Sequence, residues 1–236
     1  MKNKLILSSL ALFYFVSFNF AQEAKKSDVI ILSRSSLAEN KAKDYVPEII
    51  PEYFLLGTIS DYMGRYYFLN SNDEFDFFML NEKEEKYAMY YLYDYIKNNF
   101  DTNINKGLSL DTIKGRIISL ELAEKMNSFY DDKGILSIDI FKTDEQKYSF
   151  LLGKYLRARI INKEENGLCT IGVTNSPNKG IIYQLLPMIG CDKITYTVED
   201  TIPTWTYFSF DITPKFRKYL KILEDSEDIF KKSWEF

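Results

Sequence analysis

The sequence predicts an α+β fold: a mixed sheet of about six strands with about four major helices, in a single globular domain covering residues 22–236. Residues 193–198 and 204–212 alternate between apolar and polar side chains, which is typical of a β-hairpin. Segments with the 3.6-residue apolar period of amphipathic helices lie between the strand-like segments. We expect one domain because no stretch rich in Pro, Gly or Ser divides the chain.

Residues 1–21 have the layout of a secretory signal peptide. Lys2 and Lys4 precede a largely apolar run over 5–20, and the small residue Ala21 is followed at once by a polar stretch. The apolar run is too short for a typical transmembrane helix, and no later segment reaches about 18 apolar residues. We therefore expect cleavage after Ala21, export to the periplasm or the medium, and no transmembrane segment in the mature chain.

The charge and composition narrow the classes of function. The formal net charge of −4 becomes about −6 once Lys2 and Lys4 are removed, and no basic stripe is interleaved with aromatics, so we expect no nucleic-acid partner. Histidine is absent, which excludes a Ser–His or Cys–His catalytic unit and histidine-ligated zinc or haem. Any catalysis would have to use carboxylates, Lys, Tyr, Ser or Thr.

The first half of the mature chain predicts strands followed by helices. An edge strand is expected at 29–32, and a short helix or turn between Pro47 and residue 56. Two strands, 65–69 and 75–80, are joined by a turn-rich loop. Helical periodicity then covers 82–99 and 110–129.

The second half predicts a strand at 135–141, a helix at 144–160 capped by Thr143, and a strand at 168–173. This order favours a right-handed parallel crossover. Residues 181–189 are ambiguous between strand and helix. After the hairpin, Thr213 and Pro214 form a strong start for a last amphipathic helix. The densest basic stretch is interpreted as the solvated face of the helix at 144–160 and its end: Lys154, Arg157, Arg159 and Lys163.

Two cysteines, Cys169 and Cys191, are candidates for a disulfide. An exported chain reaches an oxidising compartment, where an even number of cysteines favours pairing. The bond would close a loop of 22 residues and stabilise the fold by roughly 3 kcal/mol. Two buried thiols are the alternative.

The segment 101–111 resembles an EF-hand calcium loop in part. Oxygen ligands fall at its first, third and fifth positions, Asp101, Asn103 and Asn105. However, Lys106 replaces the sixth-position glycine and Thr112 replaces the bidentate glutamate. We therefore expect a polar connection between helices and no metal or other cofactor.

Carboxylates supply two further candidate sites. Asp73, Glu74 and Asp76 form an acidic loop that could hold a cation but is expected to be solvated. A second set could contain the acid and base of a glycoside hydrolase if two of its members met across a cleft. That set is Asp139 in its predicted strand, and Glu199, Asp200 and Asp211 at the hairpin.

Aromatic residues are abundant, with 18 Tyr, 18 Phe and 2 Trp. One predicted helix carries five tyrosines that cannot all face one core: Tyr87, Tyr90, Tyr91, Tyr93 and Tyr95. In the hairpin, Trp205 and Tyr207 share one strand face, and Phe208 and Phe210 share the other. Aromatics mostly fill cores, but exposed ones stack on sugars or anchor partner proteins.

These observations favour an exported bacterial envelope protein that binds a protein or glycan partner through aromatic surface and is not a catalyst. A carboxylate-dependent hydrolase of an envelope polysaccharide is the first alternative, and a structural or assembly factor is the second. The sequence contains no Gly-rich phosphate loop, nucleophile elbow or paired-cysteine metal motif.

Overall fold

The computed structural model describes residues 45–60, 64–65, 69, 73–158 and 168–233. The predicted signal peptide, its cleavage site and the strand at 29–32 lie outside these ranges, as does most of the strand predicted at 65–69. The chain divides into two compact units, residues 1–46 and 47–236. In the first unit only Tyr45 and Val46 are described, and neither is in a helix or strand. The rest of the description concerns the second unit.

Seven α-helices and six strands are formed by the described residues. The helices are α1 Pro51–Thr58, α2 Lys83–Asn99, α3 Thr102–Gly107, α4 Leu120–Asn127, α5 Asp144–Arg157, α6 Lys179–Met188 and α7 Pro214–Ser233. The strands are β1 Glu74–Phe77, β2 Ser109–Asp111, β3 Arg116–Ile118, β4 Leu168–Thr174, β5 Asp192–Glu199 and β6 Trp205–Asp211. None of these helices is both long enough and apolar enough to cross a membrane.

The strands form two separate sheets, so the prediction of one mixed sheet is wrong. The first sheet has the order β1-β3-β2 and the second β4-β6-β5, and every pairing among the described strands is antiparallel. The class is nevertheless mixed helix and sheet, as expected. Two small sheets need helices to cover their apolar faces, and α5 lies at the centre of that helical layer, in contact with α1, α7 and β4.

The long helix predicted at 110–129 is also wrong. The structure places β2, a turn and β3 before the shorter α4. Asp111 Oδ1 accepts hydrogen bonds from the amides of Ile113 and Lys114, and Gly115 has a φ of +69°, so the local chemistry closes a hairpin turn. Ser119 then caps α4. The isoleucines and leucines around this turn are spaced like the apolar stripe of a helix, which explains the wrong prediction. Ile113, one member of that stripe, is in fact 89% exposed.

The predicted parallel crossover is absent from the described residues, because 135–141 is not a strand. Leu136 makes only an isolated bridge to Tyr130, and Ile138–Ile140 forms a turn of 3₁₀-helix. Ser137 accepts a hydrogen bond from the Asp139 amide, a local contact that competes with strand pairing.

Capping and alternation predicted several other elements, although the described residues form seven helices rather than about four, with α3 at the expected polar connection, and the strand predicted at 75–80 ends at Phe77. Thr143 and Gln146 form a reciprocal capping box at the start of α5. The β5–β6 hairpin and β4 lie where expected. Thr213 accepts a hydrogen bond from the Phe216 amide at the start of α7. The ambiguous segment at 181–189 is helical up to Met188, the last residue of α6, and Ile189 is the C-cap.

Two glycines bring the backbones of α1 and α5 into close contact. A Cβ atom built on Gly153 would lie 2.1 Å from the carbonyl oxygen of Phe54, and one built on Gly57 would lie 2.1 Å from that of Phe150. The two backbones therefore approach too closely for any side chain at either position. This contact fixes α1 against the centre of the core, where Phe54, Leu55 and Leu56 are fully buried.

We predict that Gly153→Ala lowers the free energy of unfolding by about 3 kcal/mol, because a backbone oxygen cannot move aside for the new methyl group. Gly180→Ala in α6 is the matched control, since nothing lies within 4 Å of its Cβ position. There alanine should stabilise the helix by about 0.5–1 kcal/mol. Urea titrations of both variants measure the difference, and equal midpoints would contradict this account of the helix contact.

Candidate functional site

A cavity of about 430 Å³ lies beside the C-terminal end of α5. One wall comes from Phe77 at the end of β1 and from Glu82 just before α2. Another part of the wall is formed by β4 and the start of β6, where it includes Gly172 and Trp205. Lys154 and Arg157 of α5 also line the cavity, so charged and aromatic walls face the same space.

Arg157 is the centre of an ion cluster at this cavity. Its Nε and Nη2 donate to the two carboxylate oxygens of Glu85 at 2.6 and 2.8 Å. Nη1 donates to Asp76 Oδ2 at 2.9 Å and to the Thr58 carbonyl at 3.2 Å, and Nη2 also donates to the Phe77 carbonyl at 2.9 Å. One guanidinium therefore connects α1, β1 and α2 to the end of α5.

Asp76 is the most deeply buried carboxylate of the cluster, with 0% of its surface exposed. Its Oδ2 also accepts a hydrogen bond from the Ser60 amide at 3.1 Å. Burial raises the pKa of Asp76, while the guanidinium groups of Arg157 and Arg65 act against that rise. Burial acts to lower the pKa of Arg157, but the carboxylates of Glu85 and Asp76 raise it above its ordinary value. The guanidinium is therefore held in its charged form.

Lys154 and Arg157 are not a solvated helix face, and that sequence interpretation was wrong for both. Lys154 is buried, and its Nζ donates to the Ile59 carbonyl at 3.3 Å. The guanidinium of Arg157 also lies 4.1 Å from the ring centroid of Phe78. Residues 150, 154 and 157 recur at helical spacing, so these two cations continue the buried face that Phe150 begins. Helical periodicity could have placed Lys154 and Arg157 on the buried face, but their charges favoured the prediction that they face solvent.

Trp205 and Tyr207 form the most distinctive surface beside the cavity. Their rings stack with centroids 5.9 Å apart and planes only 3° from parallel. Gly172 of β4 lies beneath them, and a Cβ atom there would be 3.0 Å from the Tyr207 ring. The absence of a side chain at Gly172 lets both rings lie flat against the sheet. The Tyr207 hydroxyl donates to Glu199 Oε2 at 3.2 Å.

The hairpin faces are divided as the alternation predicted. Phe208 and Phe210 are buried, whereas Trp205 and Tyr207 are half-buried on the opposite face. That second face also carries hydroxyl groups, including Thr170 and Ser209, whose oxygens are 2.9 Å apart. It is therefore a partly open sheet face with flat rings at one end and polar side chains at the other.

The tyrosine-rich helix is used for packing rather than as an open aromatic surface. Tyr91 is buried and its ring centroid lies 5.4 Å from that of Phe230 in α7, while Tyr95 contacts Phe54 of α1 at 4.6 Å. Burial raises the pKa of Tyr95. The other three tyrosines of the helix are half-buried: Tyr87, Tyr90 and Tyr93.

The carboxylates proposed for hydrolysis do not line the cavity. Asp139 is exposed in the 3₁₀ turn rather than in a strand, and Asp200 is exposed in the hairpin loop. Glu199 accepts from Tyr207, and Asp211 forms an ion pair with Lys193 at 2.9 Å. The carboxylates that do line the cavity, Glu82 and Glu85, were not among the sequence candidates.

The two loops considered for cations also have local structural roles. Asp101 Oδ1 caps α3 by accepting from the amides of Asn103 and Ile104. Glu74 pairs with Arg116, and Asp76 belongs to the Arg157 cluster rather than to a solvated loop. Across the described ranges, no three His, Cys, Asp or Glu residues form a group that could hold a metal ion.

Cys169 and Cys191 are both buried and are not joined in a disulfide. Cys169 lies in β4 opposite Phe210, and Cys191 directly precedes β5, which pairs with the other side of β6. Two strand spacings amount to about 9.5 Å, whereas a disulfide needs Cα atoms within about 7 Å. Burial raises the pKa of Cys191 to about 12.

Comparison with protein-family models, curated proteins and solved structures finds no match for this chain.

We predict that Arg157→Met lowers the free energy of unfolding by about 3–5 kcal/mol, because it leaves Asp76 and Glu85 buried without their cation. The loss should be smaller at pH 5 than at pH 7.5. Arg157 opposes the burial that raises the pKa of Asp76, so its removal raises that pKa further in the folded variant. The folded variant therefore binds a proton at Asp76 more readily than the wild type does, and it regains stability as the pH falls through that pKa.

Arg116→Met is the control, since this partly exposed residue forms an ion pair with Glu74 among the described residues, and its loss should cost about 1 kcal/mol or less. Denaturant titrations at both pH values measure the two losses. Equal losses, or a larger Arg157→Met loss at pH 5, would contradict the role assigned to the cluster.

We also predict that both cysteines are reactive thiols only after unfolding. In denaturant without reductant, a chromogenic thiol reagent should titrate two groups per chain. Under native conditions at pH 8 it should titrate neither, because both are buried and the Cys191 thiol stays protonated. Finding two groups only after reduction would instead support the disulfide predicted from the sequence.

Proposed function

We propose that this protein is an exported, non-catalytic binding protein that holds a glycan on the surface formed by Trp205 and Tyr207. The observation that carries the proposal is the parallel stacking of these two rings on a sheet face at the edge of the cavity. A flat apolar surface of this kind matches the apolar face of a sugar ring.

The support beneath the rings favours a surface that is rigid before any ligand arrives. Gly172 provides the space in which the rings lie flat, and the hydrogen bond from Tyr207 to Glu199 fixes one of them from its outer end. A surface that is already ordered loses little side-chain entropy on binding, so more of the contact energy contributes to affinity.

The polar groups around the rings suit a ligand rich in hydroxyl groups. Thr197 pairs with Tyr207 in the hairpin, and Thr195 pairs with Ser209, so all four residues share one sheet face. Threonine and serine hydroxyls both donate and accept hydrogen bonds, as sugar hydroxyls do. We propose that the rings supply contact area and these hydroxyls supply orientation.

The charged wall of the cavity supports binding more than acid–base chemistry. Both oxygens of Glu85 bond to Arg157, and Asp76, whose Oδ2 also bonds to Arg157, is not among the residues that line the cavity, so neither carboxylate of the cluster presents an unpaired oxygen to a ligand there. We propose that the Arg157 cluster holds the cavity open and rigid. The basic and apolar start of residues 1–21 supports the export part of the proposal.

We predict that Trp205→Ala weakens glycan binding at least tenfold, because truncating a central aromatic hot spot costs about 2 kcal/mol or more and about 1.4 kcal/mol already corresponds to tenfold. The assay is an array of bacterial envelope glycans probed with the purified protein, followed by titration calorimetry on any hit. Tyr93→Ala is the matched control, since this half-buried tyrosine lies in α2 away from the hairpin.

Equal loss in both variants, or loss only in Tyr93→Ala, would contradict the site. Absence of any glycan hit would contradict the ligand class. Shortened glycan products in the same samples would contradict the non-catalytic assignment and favour the hydrolase alternative.

A further inference from the structure

β5 is the outer strand of the second sheet. The strand order is β4-β6-β5, and within the described ranges no strand pairs with the outer side of β5. Unpaired edges expose amide and carbonyl groups that can pair with another strand. Every residue of β5 except the half-buried Ile194 is exposed, so both its faces and its outer edge meet solvent.

The side chains beside this edge include large apolar groups. Tyr196 is 61% exposed and Val198 is 55% exposed, and both lie on the sheet face toward α6. Tyr183 of α6 is 51% exposed, and its ring centroid lies 6.3 Å from that of Tyr196. Together Tyr183, Tyr196 and Val198 form the β5 apolar patch.

The sequence of β5 is complementary to itself when it is reversed. Residues 193–199 are centred on Tyr196, and an antiparallel pairing of two copies about that residue matches every side chain with a suitable partner. The pairs are Lys193 with Glu199, Ile194 with Val198, Thr195 with Thr197, and Tyr196 with its own copy.

This pairing matches charge as well as shape. Lys193 of one strand meets Glu199 of the other at both ends, so a two-fold dimer gains two opposite-charge contacts. The side chains of the next pairs are β-branched or hydroxyl-bearing, and such pairs stabilise antiparallel strands. A shift by two residues either way, the smallest that keeps opposed side chains on one face of the sheet, removes the matched Lys–Glu contacts and places Tyr196 off the axis.

The local backbone fits this arrangement. Lys193 has a φ of +50° at a bulge, and its exposed Nζ pairs with Asp211 of the same chain, so a contact with Glu199 of a second copy would extend or replace that ion pair. The centre of the backbone ladder, residues 195–197, lies beyond the bulge, which falls between Asp192 and Thr195.

We propose that β5 pairs antiparallel with β5 of a second copy of this chain, centred on Tyr196, to form a two-fold dimer with a continuous six-stranded sheet. The order across the dimer is β4-β6-β5 followed by the same strands reversed. The β5 apolar patch of each copy meets that of the other across the axis. The β5 apolar patch lies on the sheet face opposite to Trp205 and Tyr207, whereas the Lys193–Glu199 contacts lie on the face of the two rings, where Glu199 also accepts from Tyr207.

Sedimentation equilibrium of the purified protein tests the dimer. We expect a mass twice that of the chain at high concentration. Lys193→Glu and Glu199→Lys should each raise the dimer dissociation constant at least tenfold, because each creates two like-charge contacts. The double variant, Lys193→Glu with Glu199→Lys, should restore dimerisation, since it re-creates opposite charges in the reversed sense.

A monomer at every concentration, or a double variant that behaves like the single variants, would overturn the proposal. Circular dichroism and thermal unfolding of each variant show whether a change in mass reflects association or misfolding. The double variant keeps the test decisive, because a folding defect from the single changes would not be cured by adding the second.

Cysteine cross-linking tests the register. Tyr196→Cys places two thiols directly opposite each other, with Cα atoms about 4.5–5.5 Å apart, so mild oxidation should give a covalent dimer. Val198→Cys is the matched control, because the two copies of residue 198 would be roughly 13 Å apart in this register. Cross-linking of Val198→Cys but not Tyr196→Cys, or equal cross-linking of both, would overturn the register.

Discussion

The guanidinium of Arg157 is the contact on which the arrangement of the cavity depends. It reaches from the end of α5 to a carbonyl of α1, to β1 through Asp76 and Phe77, and to α2 through Glu85. These elements are separated in sequence by up to 99 residues. A buried charge of this kind is tolerable only with its partners in place, so the cluster specifies one arrangement of four elements.

A close contact between the backbones of α1 and α5, made possible by two glycines, adds to this ion cluster. Gly57 and Gly153 bring the two helix backbones together one turn before Arg157, so the guanidinium starts from a fixed position. Gly172 has a related role on the other wall, where it makes room for the rings of Trp205 and Tyr207. In each case the missing side chain decides how closely two elements approach.

The proposed glycan site and the proposed dimer contact lie on different parts of one hairpin. The ring pair occupies the face beside the cavity, whereas the β5 apolar patch occupies the opposite face and leads to the open edge. A dimer formed through that edge would carry two ring pairs on one continuous sheet. For a polymer with repeated units, two linked sites raise the apparent affinity without any new contact in either site.

The sequence by itself determined what depends on neighbouring residues. The capping box at Thr143, the start of α7 at Thr213 and the alternation of β6 were predictable because each involves contacts within a few residues. Only the tertiary structure decided what depends on distant ones. The helix expected at 110–129 became a hairpin and a shorter helix, and Lys154 and Arg157 turned inward. Local patterns cannot show that Asp76 and Glu85 form ion pairs with a cation that lies 72 or more residues away in the sequence. The reason is physical: burial of a charge is decided by its partners, and the fold alone brings those partners together.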